Sequence, residues 1–446
     1  MLRVSSYIIF VDLDDDSVML LHGYAGSIDI VPRSVADLLR SRESVSCSDF
    51  DSELFEGLAN RRYLTKLSQE EENDYFRRMA VALHKKDMLL YASYTFVVTY
   101  DCNFRCPYCF ERELVKGTHK RHAMTKEMVD KAFSAIMEIQ KSKQRESKHI
   151  TLFGGEPLLK ENLELVEYIV AKGAEAGFTF SAITNGYDLD AFVHLLAPDS
   201  IRSLQITIDG TEDMHNQKRL HKDDVPTFKK IVDNIGMAID KDIAITIRFN
   251  TDRNNFSQLK ELKDYFDALG YTKHKKFAID SARLENFDES LDNKDKQAFL
   301  SQKEFIKKHE TLDFEYGCHD YATYGKIYRS IYKQTPLPYR STFCYSQIGG
   351  YVFDPFFKIY PCWEVIGERD YCIGDYSGGV PVWDEHRLNY WHEDNITKRQ
   401  ACSTCKCALL CGGGCTAHNI RDHHCTHMLE MIAYAAKKAY NKYMNN

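Results

Sequence analysis

The chain has 446 residues, of which 44% are hydrophobic and 28% charged, a composition typical of globular proteins with core enough for two or three domains. The formal net charge of −7 argues against a general affinity for nucleic acids or anionic membranes. No apolar run reaches the roughly 18 residues of a membrane-spanning helix, and the N-terminal stretch turns acidic too early for a secretion signal. We therefore expect a cytoplasmic protein without a nucleic-acid or membrane partner.

The first 90 residues are predicted to form a module of their own. Three short strands are predicted for SYIIFVDLD, SVMLLH and SIDIVP, which acidic or Gly-containing turns separate. Helices are predicted for SVADLLRSR and for the charged stretch from Glu70 to Lys86. These elements predict a winged-helix-like α+β module at 1–90, with Cys47 as a core residue.

From Ser93 onward, strands and helices alternate. Six strands are predicted from the segments SYTFVVTY, HITLF, FTFSAIT, SLQITID, IAITIRFN and KKFAIDS. Helical stretches such as EMVDKAFSAIMEIQ and FKKIVDNIGMAIDK lie between them. This alternation predicts an α/β fold for 91–310, in which a parallel sheet curls into a partial (β/α)6, TIM-like barrel.

From about Tyr316 the chain becomes rich in aromatic residues and cysteines, and it ends in a predicted helix from about Cys425 to Tyr443. The region 311–446 contains little predicted regular structure for its length. Something other than an apolar core is therefore expected to hold it together. The aromatic stretch from Tyr316 to Phe357 suits either a peptide groove or packing around metal clusters, and both interpretations stay open.

In a reducing compartment, grouped cysteines are metal ligands more often than disulfides. Ten of the 14 cysteines fall into two groups with ligand-like spacing. The first group, Cys102, Cys106 and Cys109, reads C-x3-C-x2-C directly after a predicted strand. Three thiolates on one loop can bind three irons of a 4Fe–4S cluster and leave the fourth iron open. A zinc site with His119 or His122 as fourth ligand is the alternative, and unrelated buried cysteines are another.

Three further polar loops follow predicted strands of the same sheet. They contain Gly154-Gly155-Glu156-Pro157, Thr184-Asn185-Gly186 and Asp209-Gly210. Reaction chemistry in parallel barrels lies at the carboxyl ends of the strands. A Gly-Gly pair lets the backbone approach a ligand closely, and Glu156 can accept hydrogen bonds from an ammonium group. Together, these loops predict a cofactor site beside the cysteine loop.

The motifs CNFRCPYCF, FGGEP, TNG and TIDG, in this order and spacing, resemble the radical S-adenosylmethionine (SAM) superfamily over about residues 93–280. The resemblance implies that the open iron is chelated by the amino and carboxylate groups of SAM. It also implies that a 5′-deoxyadenosyl radical abstracts hydrogen from the substrate. The implied cofactor contacts are Tyr108, Gly154, Gly155, Glu156, Asn185, Asp209 and Arg248. Arg248 equally suits pairing with a barrel carboxylate, and His215 and Arg219 are either functional or loop and helix-cap residues.

The second group contains seven cysteines in about 80 residues, which exceeds one tetrahedral zinc site. The pattern resembles the SPASM extension of radical enzymes, which carries two auxiliary 4Fe–4S clusters. The resemblance implies one cluster on Cys402, Cys405, Cys411 and Cys425, and another on Cys344, Cys362 and Cys415. Phe357 stands where the family usually has glycine, and no cysteine precedes Cys344 closely. The missing ligand is Cys318, which is favoured, or Cys372, or else an iron stays open for a substrate thiolate. Cys407 is interpreted as a bystander.

Radical SAM chemistry with two auxiliary clusters is typical of enzymes that modify peptides. The leading hypothesis is a maturase of ribosomally made peptides that forms a thioether or another intrapeptide crosslink. Its expected partners are a precursor peptide, whose leader adds a strand to the N-terminal module, and a flavodoxin- or ferredoxin-type electron donor. For the module, a role as a mere extension is the alternative.

Two other functions stay open at this point. A sulfatase-maturase-like oxidase is less favoured, because that family tends to follow the cysteine equivalent to Cys362 with an acidic base. Here Trp363 follows and Glu364 comes next. A non-catalytic metal-binding scaffold is the hypothesis from a different class. The sequence leaves open the peptide, the bond formed, the catalytic base and the oligomeric state.

Overall fold

The computed structural model describes residues 1–111, 122–285, 298–309, 311–312, 317–318, 324–417 and 428–445. The strands in these ranges, labelled β1 to β17 in chain order, are Leu2–Val4, Ile8–Asp12, Ser17–His22, Ile28–Pro32, Ser44–Val45, Leu64–Thr65, Ser93–Thr99, His149–Gly154, Thr179–Thr184, Ile201–Thr207, Ala244–Thr251, Phe277–Arg283, Gly317–Cys318, Gly350–Phe353, Lys358–Tyr360, Gly374–Asp375 and Val382–Trp383. The α-helices, labelled α1 to α13, are Arg33–Ser41, Ser52–Asn60, Gln69–Leu90, Lys126–Lys141, Leu163–Glu175, Glu212–Lys218, Phe228–Ile239, Gln258–Ala268, Gln302–His309, Tyr324–Lys333, Glu385–Glu393, Ala408–Cys411 and Met428–Met444. None of these helices is both long and apolar enough to cross a membrane.

The chain forms two compact units. The N/C unit contains Met1–Leu90, Tyr321–Ile348 and Tyr390–Asn446. The barrel unit contains Tyr91–Asp320 and Gly349–Asn389. The finer division into three domains at 1–90, 91–310 and 311–446 stays a prediction.

The barrel unit is built on one sheet of eleven strands. Its order is β13-β12-β11-β10-β9-β8-β7-β14-β15-β16-β17. Strands β7 to β12 are the six that the sequence predicts, and each pairs in parallel with the next. The predicted α/β partial barrel is therefore confirmed. Strand β14 adds in parallel to β7 and continues into antiparallel β15 to β17, an extension the sequence did not reveal because these strands are too short to show a periodic pattern.

Hydrophobic periodicity explains the barrel elements. In β11, Ile245, Ile247 and Phe249 are buried, whereas the alternate residues Arg248 and Asn250 are half-buried. Helix α7 packs on this strand and buries apolar residues at helical spacing. One face of β11 is thus covered by a helix, and the other carries half-buried polar side chains.

The N/C unit contains two small antiparallel sheets, ordered β2-β3-β4 and β5-β1-β6. One of its cores joins Tyr7 and Phe76 from the N-terminal segment to Ile396 and Leu409 from the cysteine-rich segment. The two ends of the chain therefore share apolar packing. Cys47 is exposed, so its assignment to the core is wrong. It begins a short 3-10 turn, and the neighbouring strand residue is buried in its place.

Candidate active site

The cysteine loop follows β7 at the carboxyl edge of the barrel sheet. Cys106 is buried, and Cys102 and Cys109 are half-buried. The Cys109 N–H donates to the Cys106 carbonyl (3.2 Å), and the Phe104 N–H donates to Cys102 Sγ (3.3 Å). Burial raises the pKa of all three thiols, that of Cys109 to about 12. Bound cations are therefore needed to keep all three groups as thiolates, and three thiolates on one loop suit an open 4Fe–4S cluster.

The zinc alternative involves two histidines. His119 lies outside the described residues. The ring of His122 packs 5.1 Å from that of Phe356, and its backbone carbonyl accepts the Tyr100 N–H (2.9 Å). Within the described ranges, no three His, Cys, Asp or Glu side chains converge closely enough to hold one metal ion, and this includes the three loop cysteines. The finding disfavours a single-zinc site, whereas the cysteines of a 4Fe–4S cluster each bind a different iron and need not converge on one point.

A segment far along the chain pins the cysteine loop. The Arg105 N–H donates to the Leu220 carbonyl (2.7 Å), and the Lys222 N–H donates to the Asn103 carbonyl (2.8 Å). Because Leu220 and Lys222 both bond to the backbone of the cysteine loop, these main-chain bonds restrict the movement of the loop. Sequence reasoning missed this contact, because it is made by backbone groups that carry no residue signature.

The two motif glycines allow two strand ends to approach each other. A Cβ on Gly154, whose φ is +128°, would lie 2.1 Å from the Thr99 carbonyl oxygen, and one on Gly155 would lie 2.4 Å from that of Asp101. The Gly155 N–H donates to Thr99 (3.0 Å), and the Glu156 N–H donates to Asp101 (2.8 Å). The absence of side chains on these glycines therefore lets the backbone at Thr99 and Asp101, which leads into the cysteine loop, pack against them.

Glu156 joins the ends of β8 and β9. Its carboxylate is buried and accepts from the Leu158 N–H (2.9 Å), the Thr184 hydroxyl (2.5 Å) and the Asn185 N–H (2.5 Å). Burial raises its pKa to about 7, and these three donors oppose that rise. The Asn185 amide in turn donates to Asn103 Oδ1 in the cysteine loop (2.7 Å). The predicted residues Glu156 and Asn185 thus lie beside the cysteine loop.

Tyr108, Asp209 and Arg219 form a polar cluster in which Asp209 and Arg219 are buried and Tyr108 is half-buried. The Tyr108 hydroxyl donates to Asp209 Oδ2, and Arg219 Nη1 donates to the same hydroxyl (2.8 Å). The Arg219 and Asp209 side chains lie 3.7 Å apart, and the Asn250 N–H donates to Asp209 Oδ1 (3.0 Å). A buried arginine whose Nε has no partner among the described residues retains capacity for an anion.

Arg248 and His215 lie differently. Arg248 Nη1 is 3.5 Å from Asp280 Oδ2, and its Nε donates to Asn250 Oδ1 (3.2 Å). The barrel-carboxylate pairing is therefore the arrangement that the fold shows for Arg248. His215 is fully buried on α6, and neither ring nitrogen has a hydrogen-bond partner among the described residues.

Glu111 is a buried carboxylate that sequence reasoning did not select. It follows Cys109 by two residues, and only 3% of it is exposed. Burial raises its pKa to about 8, and the charge of Glu156 adds to the rise. The sequence did offer one signal for Glu111, namely that it lies only two residues after the last cysteine of the loop.

The second cysteine group begins in the N/C unit. Cys402 and Cys405 pack against the core that contains Tyr7. Cys407 is buried, and a hydrogen bond from its thiol lowers the pKa of Cys405 to about 6. Cys407 is therefore a contact of a predicted ligand, although sequence reasoning treated it as a bystander.

An arginine connects two distant segments of this group. The Arg340 N–H donates to the Leu409 carbonyl (2.9 Å), and its Nε donates to the Leu410 carbonyl (2.9 Å). The negative charges of Cys411 and Cys344 oppose the fall that burial causes in the Arg340 pKa. Cys344 and Cys411 are thus brought near one cation.

The remaining predicted ligands are divided. Cys362 follows β15 and Cys372 precedes β16, so both lie at the same end of one antiparallel strand pair. Cys318 ends β13 at the other edge of the sheet. The strand order therefore favours Cys372 as the neighbour of Cys362, contrary to the preference for Cys318. The Cys318 side chain and Cys425 lie outside the described residues, and Cys415 is half-buried in the N/C unit.

Residues 96–265 match the family model of the Radical SAM superfamily. A curated relative from Psychrobacter lutiphocae, an S-adenosylmethionine-dependent nucleotide dehydratase, is 25% identical over 193 residues, which are 41% of this chain and 62% of that protein. A GTP 3′,8-cyclase from Aliarcobacter butzleri is 25% identical over 214 residues, 46% of this chain and 61% of that protein. The chain thus spans about three fifths of the length of these relatives.

Among solved structures, anSMEcpe with bound AdoMet and Cp18Cys peptide is similar to this chain. The TM-score is 0.58 at 17% identity, and the alignment covers 80% of this chain and 99% of that one. At this identity, the similarity shows the fold alone.

Proposed function

Because residues 96–265 match the family model of the Radical SAM superfamily, we propose that the chain is a radical SAM enzyme that modifies a ribosomally made precursor peptide. The modification is an intrapeptide crosslink, for which a thioether is the leading candidate. The observation that carries the proposal is the cysteine loop, which main-chain bonds hold at the carboxyl edge of the barrel. The cysteine-rich region with SPASM-like spacing supports the peptide as substrate.

The residues around the loop fit the cofactor. Cys102, Cys106 and Cys109 would hold a 4Fe–4S cluster with one open iron, to which SAM binds. When bound, this pair supplies a carbon-centred radical that removes a hydrogen atom from the substrate. The chain's own residues would form the walls of this site. Glu156 joins two strand ends beside the loop, and the Asn185 side chain donates a hydrogen bond to Asn103 in the loop.

The remaining contacts are assigned from the geometry. Tyr108 and Asp209 would form a polar wall of the cofactor site, with Gly154 and Gly155 lying against the entry to the loop. Arg219 would attract the cofactor carboxylate, because it is a buried cation in the polar cluster that contains Tyr108 and Asp209. Arg248 would contact the cofactor only by leaving Asp280, which makes it a weaker candidate than Arg219.

We assign two auxiliary 4Fe–4S clusters to the second cysteine group. Cys402, Cys405, Cys411 and Cys425 would hold one cluster. The other would be held by Cys344, Cys362 and Cys415, with Cys372 preferred over Cys318 for a fourth ligand. Thioether formation removes a hydrogen atom from carbon, a proton from the thiol and one electron, and an auxiliary cluster would accept that electron. A flavodoxin- or ferredoxin-type donor would supply the electron that starts each turnover.

The N-terminal sheet supports a role in binding the precursor. Strand β4 is an edge of the three-stranded sheet, and Ile30 on it is 46% exposed. An exposed edge with an apolar side chain suits strand addition by a leader peptide. A leader bound there would raise the local concentration of the segment to be modified.

The test is anaerobic reconstitution with iron and sulfide, reduction, and addition of SAM. A brown protein that absorbs near about 400 nm and forms 5′-deoxyadenosine supports the radical enzyme. Loss of two hydrogen atoms from a co-expressed short peptide of a neighbouring reading frame, without loss of sulfur, supports the crosslink. An aldehyde on the peptide would instead identify the sulfatase-maturase-like oxidase. A colourless protein that never cleaves SAM would reduce the chain to a metal-binding scaffold.

A further inference from the structure

The strongest unexplained group in the barrel unit is the Glu111 carboxylate. It is nine-tenths buried, and its Oε1 has no hydrogen-bond partner in the part of the chain that the structure describes. A buried carboxylate oxygen without a hydrogen-bond partner is destabilising unless a ligand satisfies it. Such a group therefore points to a ligand that carries N–H bonds or positive charge.

The surroundings of Glu111 are already acidic. Glu156 lies close enough that its charge acts on Glu111, and the charge of Glu111 acts in turn on Cys109 and Tyr100. Glu156 differs from Glu111 because three protein donors already engage its carboxylate. Of these two carboxylates, the one with a hydrogen-bond acceptor left unused by the described residues is therefore Glu111.

We propose that Glu111 accepts a hydrogen bond from the α-amino group of SAM, and that Glu156 mainly joins the strand ends. The proposal rests on the proposed function, because it requires SAM at the cysteine loop. With SAM bound at the cluster, its amino group would still carry N–H groups from which Glu111, which directly extends the cysteine loop, could accept a hydrogen bond. The residue is thus a cofactor-binding residue that the motif analysis assigned to Glu156 instead.

The experiment compares SAM with its analogue in which hydrogen replaces the α-amino group. Both are titrated by equilibrium dialysis into the reconstituted wild type, Glu111→Gln and Glu161→Gln, an exposed control. We expect Glu111→Gln to bind SAM about 10- to 100-fold more weakly at unchanged iron content, and to bind the analogue as the wild type does. The electron paramagnetic resonance signal of the reduced cluster should also shift less when SAM is added to this variant. Glu161→Gln should match the wild type for both ligands.

Two results would overturn the assignment. One is wild-type SAM affinity in Glu111→Gln, and the other is an equal loss for both ligands, which would indicate a structural role in the loop. If Glu111→Gln loses iron, the ratio of the two affinities is measured in Glu111→Asp, where an unchanged ratio rejects the proposal. A wild-type protein that binds neither cluster nor SAM would instead reject the proposed function.

Discussion

The two cysteine groups differ in how the fold holds them. The first lies within eight residues of chain, and main-chain bonds at Asn103 and Arg105 fix its loop. The second is spread over distant segments, and Arg340 connects two of them by binding carbonyl groups. The arrangement of the first group therefore depends on the spacing of its cysteines and on close backbone contacts. The arrangement of the second group depends on contacts between distant segments.

The largest effect is expected from removing one ligand of each group. Cys106→Ala should abolish 5′-deoxyadenosine formation and lower bound iron by about one cluster, because three thiolates are the minimum for the open cluster. Cys405→Ala should lower bound iron similarly, yet retain 5′-deoxyadenosine formation while the peptide stays unmodified. Iron analysis and chromatography of the nucleoside measure both.

The matched control is Cys47→Ala, because Cys47 is exposed and distant in sequence from both groups. It should change neither iron content nor 5′-deoxyadenosine. If Cys405→Ala abolished 5′-deoxyadenosine as Cys106→Ala does, the two groups would not be functionally separable, and the comparison would fail.

The next largest effect is expected from adding a side chain to a glycine that packs closely against another backbone segment. Gly155→Ala places a Cβ 2.4 Å from the Asp101 carbonyl oxygen, and Gly412→Ala, at a φ of +77°, places one 2.2 Å from that of Thr342. Each should lower the free energy of unfolding of the apoprotein by about 2–4 kcal/mol, measured by urea denaturation. Gly155→Ala should impair SAM binding and Gly412→Ala only the second group.

Gly57→Ala is the control for these glycines, because no atom lies within 4 Å of its added Cβ in helix α2. It should stabilise the apoprotein by up to about 1 kcal/mol. Equal destabilisation by all three variants would show that the close contacts do not decide the effect.

A pH effect is expected in the N/C unit. Burial lowers the pKa of His22 to about 4, and its Nδ1 accepts the N–H groups of Tyr24 (3.3 Å) and Ala25 (3.1 Å). Since the folded pKa lies below the unfolded value of about 6.5, the unfolded chain binds the proton first. The stability contribution is therefore complete above about pH 6.5 and is lost as the pH falls towards about 4, by up to about 3 kcal/mol. Urea midpoints across this window measure it, and His22→Asn should flatten the dependence; an unchanged slope would contradict it.

The smallest effect concerns one side-chain bond at the first group. Asn185→Ala removes the 2.7 Å bond to Asn103 and should weaken SAM binding about fivefold, the value of one ordinary hydrogen bond. Asn103→Ala should cost the same, and the double variant no more than either. A larger loss for Asn185→Ala alone would indicate a further role of Asn185, either in the bond that its Oδ1 accepts from the Tyr187 N–H (2.9 Å) or in contacting the cofactor.

Much of the barrel could be predicted because its signals are local. Alternation of apolar residues marks β11, and the helical spacing of apolar residues marks α7. The cysteine loop could be predicted without tertiary information, because Cys102, Cys106 and Cys109 lie close together in one short segment of the sequence. Strand β14 could not be predicted, because four buried residues without alternation suit many structures.

The sequence was enough to predict which chemical groups follow successive strands: three cysteines after β7, a Gly-Gly-Glu turn at the end of β8, and Asn185 and Asp209 after β9 and β10. The physical reason is that parallel strands place successive carboxyl ends at one edge. Tertiary structure was needed to show that the glycines admit the backbone at Thr99 and that the start of β16, which follows Cys372, lies beside the end of β15, which precedes Cys362. The choice between Cys372 and Cys318 as a cluster ligand stays a prediction. The two structural outcomes depend on close packing between segments distant in the chain, which no local pattern encodes.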